Sequence, residues 1–489
     1  MAKVCVIGLD CAPPELVFHR WRRDLPNLGR LMETGSYGAM ESTVPPITVP
    51  AWMSMLTGVD PGELGIYGFR NRRDHSYERY AFANSRSVRE PVVWDVLGDA
   101  GRKTIALGVP LTYPPRPING WLISCFLAPD TSSEYTYPPD LRDEIRETVG
   151  EYLFDARGFR TEDKERLLRE IREMSAQRFQ LARHMVSTRP WDLFVMVEMG
   201  TDRIHHGFWR FFDTEHRGYE QGNRFETAIH DYYVELDREI GSLIALLPPG
   251  THIFIVSDHG AKRMEGGICF NEWLIQNGYL TLKSQPDAIA PLTPEMIDWE
   301  RTRVWGDGGY YGRCFLNVRG REPLGTVDPG DAEALKRELT AKLENLGDES
   351  GRPIGTRVFR PESVYRACRG VPPDLIVYFG DLHWRSVGSV GHPSVWTRTN
   401  DTGPDDANHA QHGIFIQSEA GAAGAGAGER FGVRIYDVAP TILSLFGIAP
   451  LPGMCGSVIG AQEAQEAELV YSAEEEAELA RRLEDLGYL

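Results

Sequence analysis

The sequence predicts an α/β fold: a doubly wound, mostly parallel sheet with helices on both faces and an inserted cap region. Three observations carry this. Short continuous apolar runs rich in Val, Ile, Leu and Phe recur along the chain, which is the pattern of strands buried on both faces. Helical patterns lie between them, so strand and helix alternate. The chain's 489 residues are enough for one large decorated core or a core with a second lobe.

Taken in order, residues 4–9 form the first apolar run and stop at Asp10. The proline-framed stretch 43–52 follows, with Thr48 ahead of a helix-like segment through residues 53–56 that ends near Gly58. Residues 93–97 read as a short helix stopped before Gly101, and 104–109 as the next strand. Thr161, followed by Glu162 and Asp163, opens a long helix to about Met185. Its Leu167, Leu168, Ile171, Met174 and Phe179 recur at helical spacing. Strands are expected again at 193–197, 252–256 and 375–379. The stretch 261–403 is loop-rich and aromatic, with Trp273, Trp305, Tyr310, Tyr311 and Trp384, and reads as an insertion capping one edge. The expected division is therefore a core of 1–260 with 404–460, a cap of 261–403, and a C-terminal amphipathic helix within 461–489. That last helix is marked by Ser472-x-x-Glu475 and by Leu479, Leu483 and Leu486.

Composition excludes several classes of function. Lys and Arg number 52 against 70 Asp and Glu, a net charge of −18, which leaves no basic face for a nucleic-acid scaffold. A phosphate-bearing substrate is not excluded, because a bound metal reverses the sign locally. An acidic surface slows highly anionic ligands, which favours small diesters over long polynucleotides. No apolar run reaches the roughly 18 residues of a membrane span, and the N-terminal run is too short for a secretory h-region. The seven cysteines (Cys5, Cys11, Cys125, Cys269, Cys314, Cys368, Cys455) are scattered and lack C-x-x-C spacing. Neither a disulfide framework nor a thiolate zinc site is expected, each reads as a small buried hydrophobe, and the expected setting is cytoplasmic.

The chemistry collects just past the strands. Asp10 follows the first strand, Asp202 and His206 follow the run 193–197, and Asp258 and His259 follow 252–256. In open α/β sheets ligands bind beyond the carboxyl ends of the strands, so these groups should converge. Singly, each has an ordinary reading: a helix cap, a structural histidine, an i,i+4 ion pair. Together, five Asp and His donors in one crevice suit zinc or manganese and suffice for two ions. Thr48 is ordinarily a helix cap. Beside a metal that lowers its pKa, its hydroxyl is a nucleophile.

These residues resemble the alkaline phosphatase superfamily, in its type I phosphodiesterase/nucleotide pyrophosphatase branch. The similarity runs through Gly8-Leu9-Asp10, Thr48-Val49-Pro50, Leu56-Thr57-Gly58 and Gly65-Ile66. It continues through Asp202-x-x-x-His206, Asp258-His259-Gly260, His412-Gly413 and Tyr436-Asp437-Val438-Ala439-Pro440. The resemblance implies an alkaline-phosphatase-like core and two divalent ions, zinc in most of this branch with manganese as the alternative. Asp202, His206 and His412 would hold the first ion; Asp10, Asp258, His259 and Thr48 would hold the second. Spacing by itself leaves His409 as a rival to His412, and His205 as a rival to His206. Thr48 would attack phosphorus, giving a phospho-threonine that water then hydrolyses.

Two positions depart from the branch. Ala51 stands where its nucleotide pyrophosphatases have Asn after the Pro. Phe69 stands where they have a second Asn that contacts a phosphate oxygen, with Asn71 two residues on as the substitute. Trp52, Tyr67, Phe69, Trp305, Tyr310 and Tyr311 are the candidates to stack on an aromatic leaving group. The expected activity is hydrolysis of a small phosphodiester or pyrophosphate. A phosphomonoesterase or phosphomutase on the same site is the alternative, and a non-catalytic binder of phosphorylated ligands the third.

Overall fold

A computed structural model describes residues 2–460 of the chain. The strands that organise it are β1 (Val4–Leu9), β2 (Ser36–Glu41), β3 (Thr104–Leu107), β4 (Gly120–Ile123), β5 (Thr136–Tyr137), β6 (Leu193–Glu198) and β7 (His252–Val256). A separate sheet is formed by β8 (Val304–Asp307), β9 (Gly312–Leu316), β10 (Arg357–Phe359) and β11 (Leu375–Tyr378), within the stretch expected to be a cap. The core closes with β12 (His412–Glu419). The helices used below are α1 (Pro26–Thr34), α2 (Thr48–Thr57), α3 (Val93–Asp99), α4 (Lys164–Thr188), α5 (Gly200–Phe212), α6 (Ala228–Ile244), α7 (Ala332–Glu344) and α8 (Val438–Leu445).

The central sheet has ten strands and runs β2-β12-β7-β1-β6-β3-β4-β5, with two short strands outside β2. From β7 to β4 every pairing is parallel. β12 runs antiparallel to both β7 and β2, and β5 antiparallel to β4. All six residues of β1 are buried, and its side chains alternate between two cores. Cys5, Ile7 and Leu9 pack with α1, α4, α5 and α6. Val4 and Val6 pack with α2, α3 and α8. Burial on both faces explains why β1 reads as an unbroken apolar run.

The expected helices form with small shifts at their ends. α4 starts at Lys164 rather than Thr161, because Asp163 is the cap and accepts the Arg166 N–H at 3.1 Å. Thr161 sits two residues earlier and its hydroxyl accepts the Asp163 N–H. α2 ends at Gly58, whose φ of +71° suits a residue without a Cβ.

The run 375–379 corrects one expectation. As β11 it belongs to a separate four-stranded sheet, β8-β9-β11-β10, and pairs antiparallel with β9 and β10. Leu375 and Val377 face the cap core with Leu339 and Leu343 of α7, while Ile376 and Tyr378 face Tyr67 and Tyr311. Burial on both faces makes an apolar run, whatever the direction of the neighbouring strands. β2 carries no such run, because its residues alternate between buried and partly exposed. The helix expected in 461–489 lies outside the described residues. Among the described residues no helix is long and apolar enough to cross a membrane.

Candidate active site

The site lies past the carboxyl ends of β1, β6 and β7. Asp10 follows β1 directly, and its backbone N–H still bonds to Glu198 at the end of β6, at 3.0 Å. Asp202 and His206 occupy the first turns of α5, four residues apart on one face. Asp258 and His259 follow β7 by two and three residues. The sheet therefore does what the spacing predicted and brings these five side chains into one fully buried cluster.

The details are those of a cation site. His259 Nδ1 faces the Gly260 carbonyl at 3.1 Å, which leaves Nε2 pointing at Asp258 Oδ2 (3.1 Å) and Asp10 Oδ1 (3.8 Å). His206 Nε2 is 3.2 Å from Asp202 Oδ1. On the far side of its ring, Nδ1 donates to Asp405 Oδ1 at 2.7 Å, a carboxylate–histidine pairing that fixes both the tautomer and the ring. Three atoms aimed into the cluster, Asp10 Oδ1, Asp258 Oδ2 and His206 Nε2, have no hydrogen-bond partner among the described residues. Buried polar atoms that have only such ion-pair contacts and no aligned hydrogen bond are costly in a dry interior, and a divalent cation would satisfy them. Asp and His donors of this kind fit zinc or manganese.

The electrostatics agree. Burial pushes the Asp10 carboxyl well above its usual range, and the charge of Asp202 adds to this. Asp258 is raised by burial and then by Asp10. Burial opposes ionisation of Asp202 as well, but His206 and Arg203 outweigh it and hold that carboxyl well below the ordinary range. Burial lowers His259 to about 4, so its imidazole is neutral and free to ligate. Three carboxylates in one dry pocket repel each other until positive charge arrives.

Thr48 is the first residue of α2, after Ile47 in extended conformation. Pro50 follows within the first turn, where its missing N–H has no bond to make. The Thr48 hydroxyl is buried and lies 3.4 Å from His259 Nε2, at the positive end of the helix dipole. It lines a cleft of about 500 Å³ together with Asp202, His409, Phe69, Tyr310 and Tyr311.

His412 is the one expected ligand that is not brought to this cluster. It opens β12 opposite Glu41, is exposed, and lines a surface groove with His19, Glu41 and Lys262. His409 takes the place in the cluster. It is buried, its Nε2 is 3.8 Å from Asp202 Oδ1, and its Nδ1 donates to the Pro46 carbonyl at 2.8 Å. The reason is pairing: the short ladder of Gly260–Arg263 with Ala407–Ala410 sets Ala261, two residues past His259, opposite His409, whereas His412 already belongs to the sheet edge. His205 is buried against Tyr233 and Trp209, with its Nε2 at the Tyr233 hydroxyl, 3.3 Å away.

The proposed substrate contacts divide. Trp52 is wholly buried and donates Nε1–H to Asp10 Oδ2 at 2.7 Å, so it positions a ligand carboxylate and cannot stack on substrate. Asn71 spends its amide on the local turn, accepting from the Tyr67 N–H at 2.8 Å and donating to the Gly68 carbonyl at 2.9 Å. Tyr67 is buried, its hydroxyl bonded to the Arg369 carbonyl. Tyr311 lines the cleft and donates to the Tyr67 carbonyl. Trp305 faces a neighbouring cap pocket, against Trp299 and Phe315. Phe69 and Tyr310 do line the cleft. Sequence reasoning missed Asp405 and the arginines around it. Arg160 bonds Asp405 and Tyr310, and Arg203 bonds Asp155 in bidentate fashion while touching Asp202. Only the adjacency of Arg203 to Asp202 in sequence hinted at this.

A buried Asp and His cluster past a parallel sheet, faced by a hydroxyl at a helix N-terminus, is the arrangement of a phosphohydrolase site with candidate metal ligands. The chain belongs to the type I phosphodiesterase/nucleotide pyrophosphatase family, whose model matches residues 4–414, and it is a phosphohydrolase of that family. It is similar in fold to human ectonucleotide pyrophosphatase/phosphodiesterase 5, at 14% identity and a TM-score of 0.55, over 93% of this chain and 97% of that one. It is similarly related to the murine protein, at 14% identity and 0.54, over 94% and 99%. An inactive form of the murine protein in complex with AMP matches at 13% and 0.53, over 92% and 96%. No curated protein matches the sequence.

Proposed function

We propose that the protein is a two-metal hydrolase that cleaves phosphodiester or pyrophosphate bonds of a small substrate through a covalent phospho-threonine. The observation that carries this is the Thr48 hydroxyl at the start of α2, 3.4 Å from His259 Nε2 and facing orphaned ligand atoms. Asp202, His206 and His409 would hold one ion; Asp10, Asp258, His259 and Thr48 would hold the other. When bound, the ions would lower the pKa of the hydroxyl and neutralise charge on the transferring group.

The chain's own residues do the rest. Thr48 Oγ1 forms the new bond to phosphorus as the bond to the leaving alcohol or phosphate breaks, and its proton passes to solvent. Water then cleaves the phospho-threonine and restores the hydroxyl. The helix N-terminus favours the developing negative charge. Arg70, Arg160, Arg203, Arg313 and Arg385 line the cleft, and four of them pair with carboxylates, Arg160 with Asp405, Arg203 with Asp155, Arg313 with Asp307 and Arg385 with Asp401. With Phe69 at the expected Asn position and Asn71 occupied by its turn, guanidinium N–H groups of this cleft that are not spent on those pairs would be the donors to non-bridging phosphate oxygens.

The test is turnover of bis(p-nitrophenyl) phosphate with added zinc or manganese, set against Thr48→Ala and Asp258→Ala. Turnover is expected to disappear in both variants. Undiminished turnover in either would remove the mechanism. The rate on the mononitrophenyl ester decides between diesterase and monoesterase. A nucleoside phosphate diester belongs in the panel, given the AMP complex of the murine neighbour.

A further inference from the structure

Cys11 is buried among core side chains, as expected of a small buried hydrophobe, and it also borders the site. It follows Asp10 at the end of β1, is fully buried, and has a φ of +65°, a region that non-glycine residues seldom occupy. Its backbone N–H donates to Asp258 Oδ1 at 3.2 Å, which ties the turn to the site. The turn brings Sγ close to Asp202. The Cys11 sulfur, an Asp202 carboxylate oxygen and one ring nitrogen each of His206 and His409 all lie within 4.8 Å of one another, every residue buried. The sulfur donates weakly to the Gly260 carbonyl at 3.4 Å and also reaches the Asp202 carboxylate. In the same group His206 Nε2 is buried and has no hydrogen-bond partner among the described residues. One sulfur, one oxygen and two nitrogens form a donor set of the kind that zinc takes in four-coordinate sites.

We infer that the Cys11 thiolate is a fourth protein ligand of the first ion, beside Asp202, His206 and His409, and that it makes this position prefer a thiophilic dication over manganese or magnesium. This rests on the reading that the cleft binds divalent ions. Binding is a proton exchange: the S–H bond gives its proton to solvent as the sulfur–metal bond forms. A backbone held in the left-handed region by a residue that does not favour it is a common mark of functional sites.

The experiment uses the full chain, freed of metal and titrated with zinc, cobalt and manganese, as wild type, Cys11→Ser and Cys11→Gly. Glycine adopts the observed φ without strain but leaves a small void, so the metal-free Cys11→Gly protein should remain folded, which its far-UV circular dichroism and a cooperative melt would record. Loss of metal binding in it then reflects the missing sulfur rather than misfolding. Cobalt-loaded wild type should show a sulfur-to-cobalt charge-transfer band that both variants lack. Zinc affinity at one of two positions should fall at least about 10-fold, the scale of losing even an outer-shell partner. Manganese affinity should change less, and calorimetry in two buffers should show one fewer proton released per chain. An unchanged charge-transfer band or unchanged zinc affinity in Cys11→Gly would overturn the ligand role while leaving the two-metal reading intact. A wild type that binds no divalent ion would overturn that reading, and this inference with it.

Discussion

His259 and His409 lie ring on ring, their centroids 3.8 Å apart and their planes 18° from parallel. His259 comes from the loop after β7 and His409 from a segment 150 positions later in the chain. Their stacking joins the two halves of the ligand cluster. Each ring turns its Nδ1 to a backbone carbonyl, of Gly260 and of Pro46, and its Nε2 to the carboxylates.

The first prediction follows from that pairing. His409→Ala should lower kcat/KM on bis(p-nitrophenyl) phosphate by at least about 100-fold, since it removes a ligand together with a ring that stacks on another. His412→Ala should stay within about threefold of wild type, as a surface change should. Steady-state kinetics at saturating metal decide it, and the reverse order of the two variants would reject the assignment of His409.

Gly8 and Trp52 set Asp10. A Cβ on Gly8 would come within 2.3 Å of Trp52 Cη2, so the glycine makes room for the indole that holds Asp10 Oδ2. Gly8→Ala should cost about 1–3 kcal/mol by overpacking. Trp52→Phe should cost about the same by leaving a buried carboxylate oxygen unpaired. Both should weaken metal binding, which denaturant melts and chelator competition would record. Stability unaffected by Gly8→Ala would show that the indole can move freely.

Asp405 acts through His206. It holds the Nδ1 of that ring and also takes bonds from Arg160 and Tyr310. Asp405→Asn keeps the shape but lowers the basicity of the imidazole, so zinc affinity should drop about 10–100-fold. Zinc titration of the metal-free variant measures this, and affinity equal to wild type would leave Asp405 with a packing role alone.

Acid should weaken the fold partly through His216. It is 7% exposed and its Nδ1 accepts the Gly218 N–H at 3.0 Å, which requires a neutral ring. Burial, then the charge of Arg217, lowers it from 6.5 to about 4. Between those values the unfolded chain binds the extra proton, so this contribution is full above pH 6.5 and is lost as pH falls toward 4. Melting temperatures of wild type and His216→Gln, compared from pH 7 down to pH 4, should converge at the acid end. Parallel curves would remove His216 from the account.

The sequence by itself determined the α/β class, the strands that end at Asp10 and before Asp202 and Asp258, and the hydroxyl of Thr48. These were legible because burial on both faces writes a continuous apolar run, and the fold places chemistry where such runs stop. Tertiary structure decided what depends on pairing between distant segments. His409 and His412 are three residues apart with similar neighbours, and only the ladder with Gly260–Arg263 tells which one faces the Asp and His cluster. Trp52 looked like a stacking ring, yet its indole N–H is needed by a carboxylate 42 positions away. Asn71 looked like a substitute phosphate contact, but its amide closes its own turn. The role of Cys11 was hidden for the same reason: periodicity reports whether a side chain is buried, while its partners are set by contacts far apart in the chain.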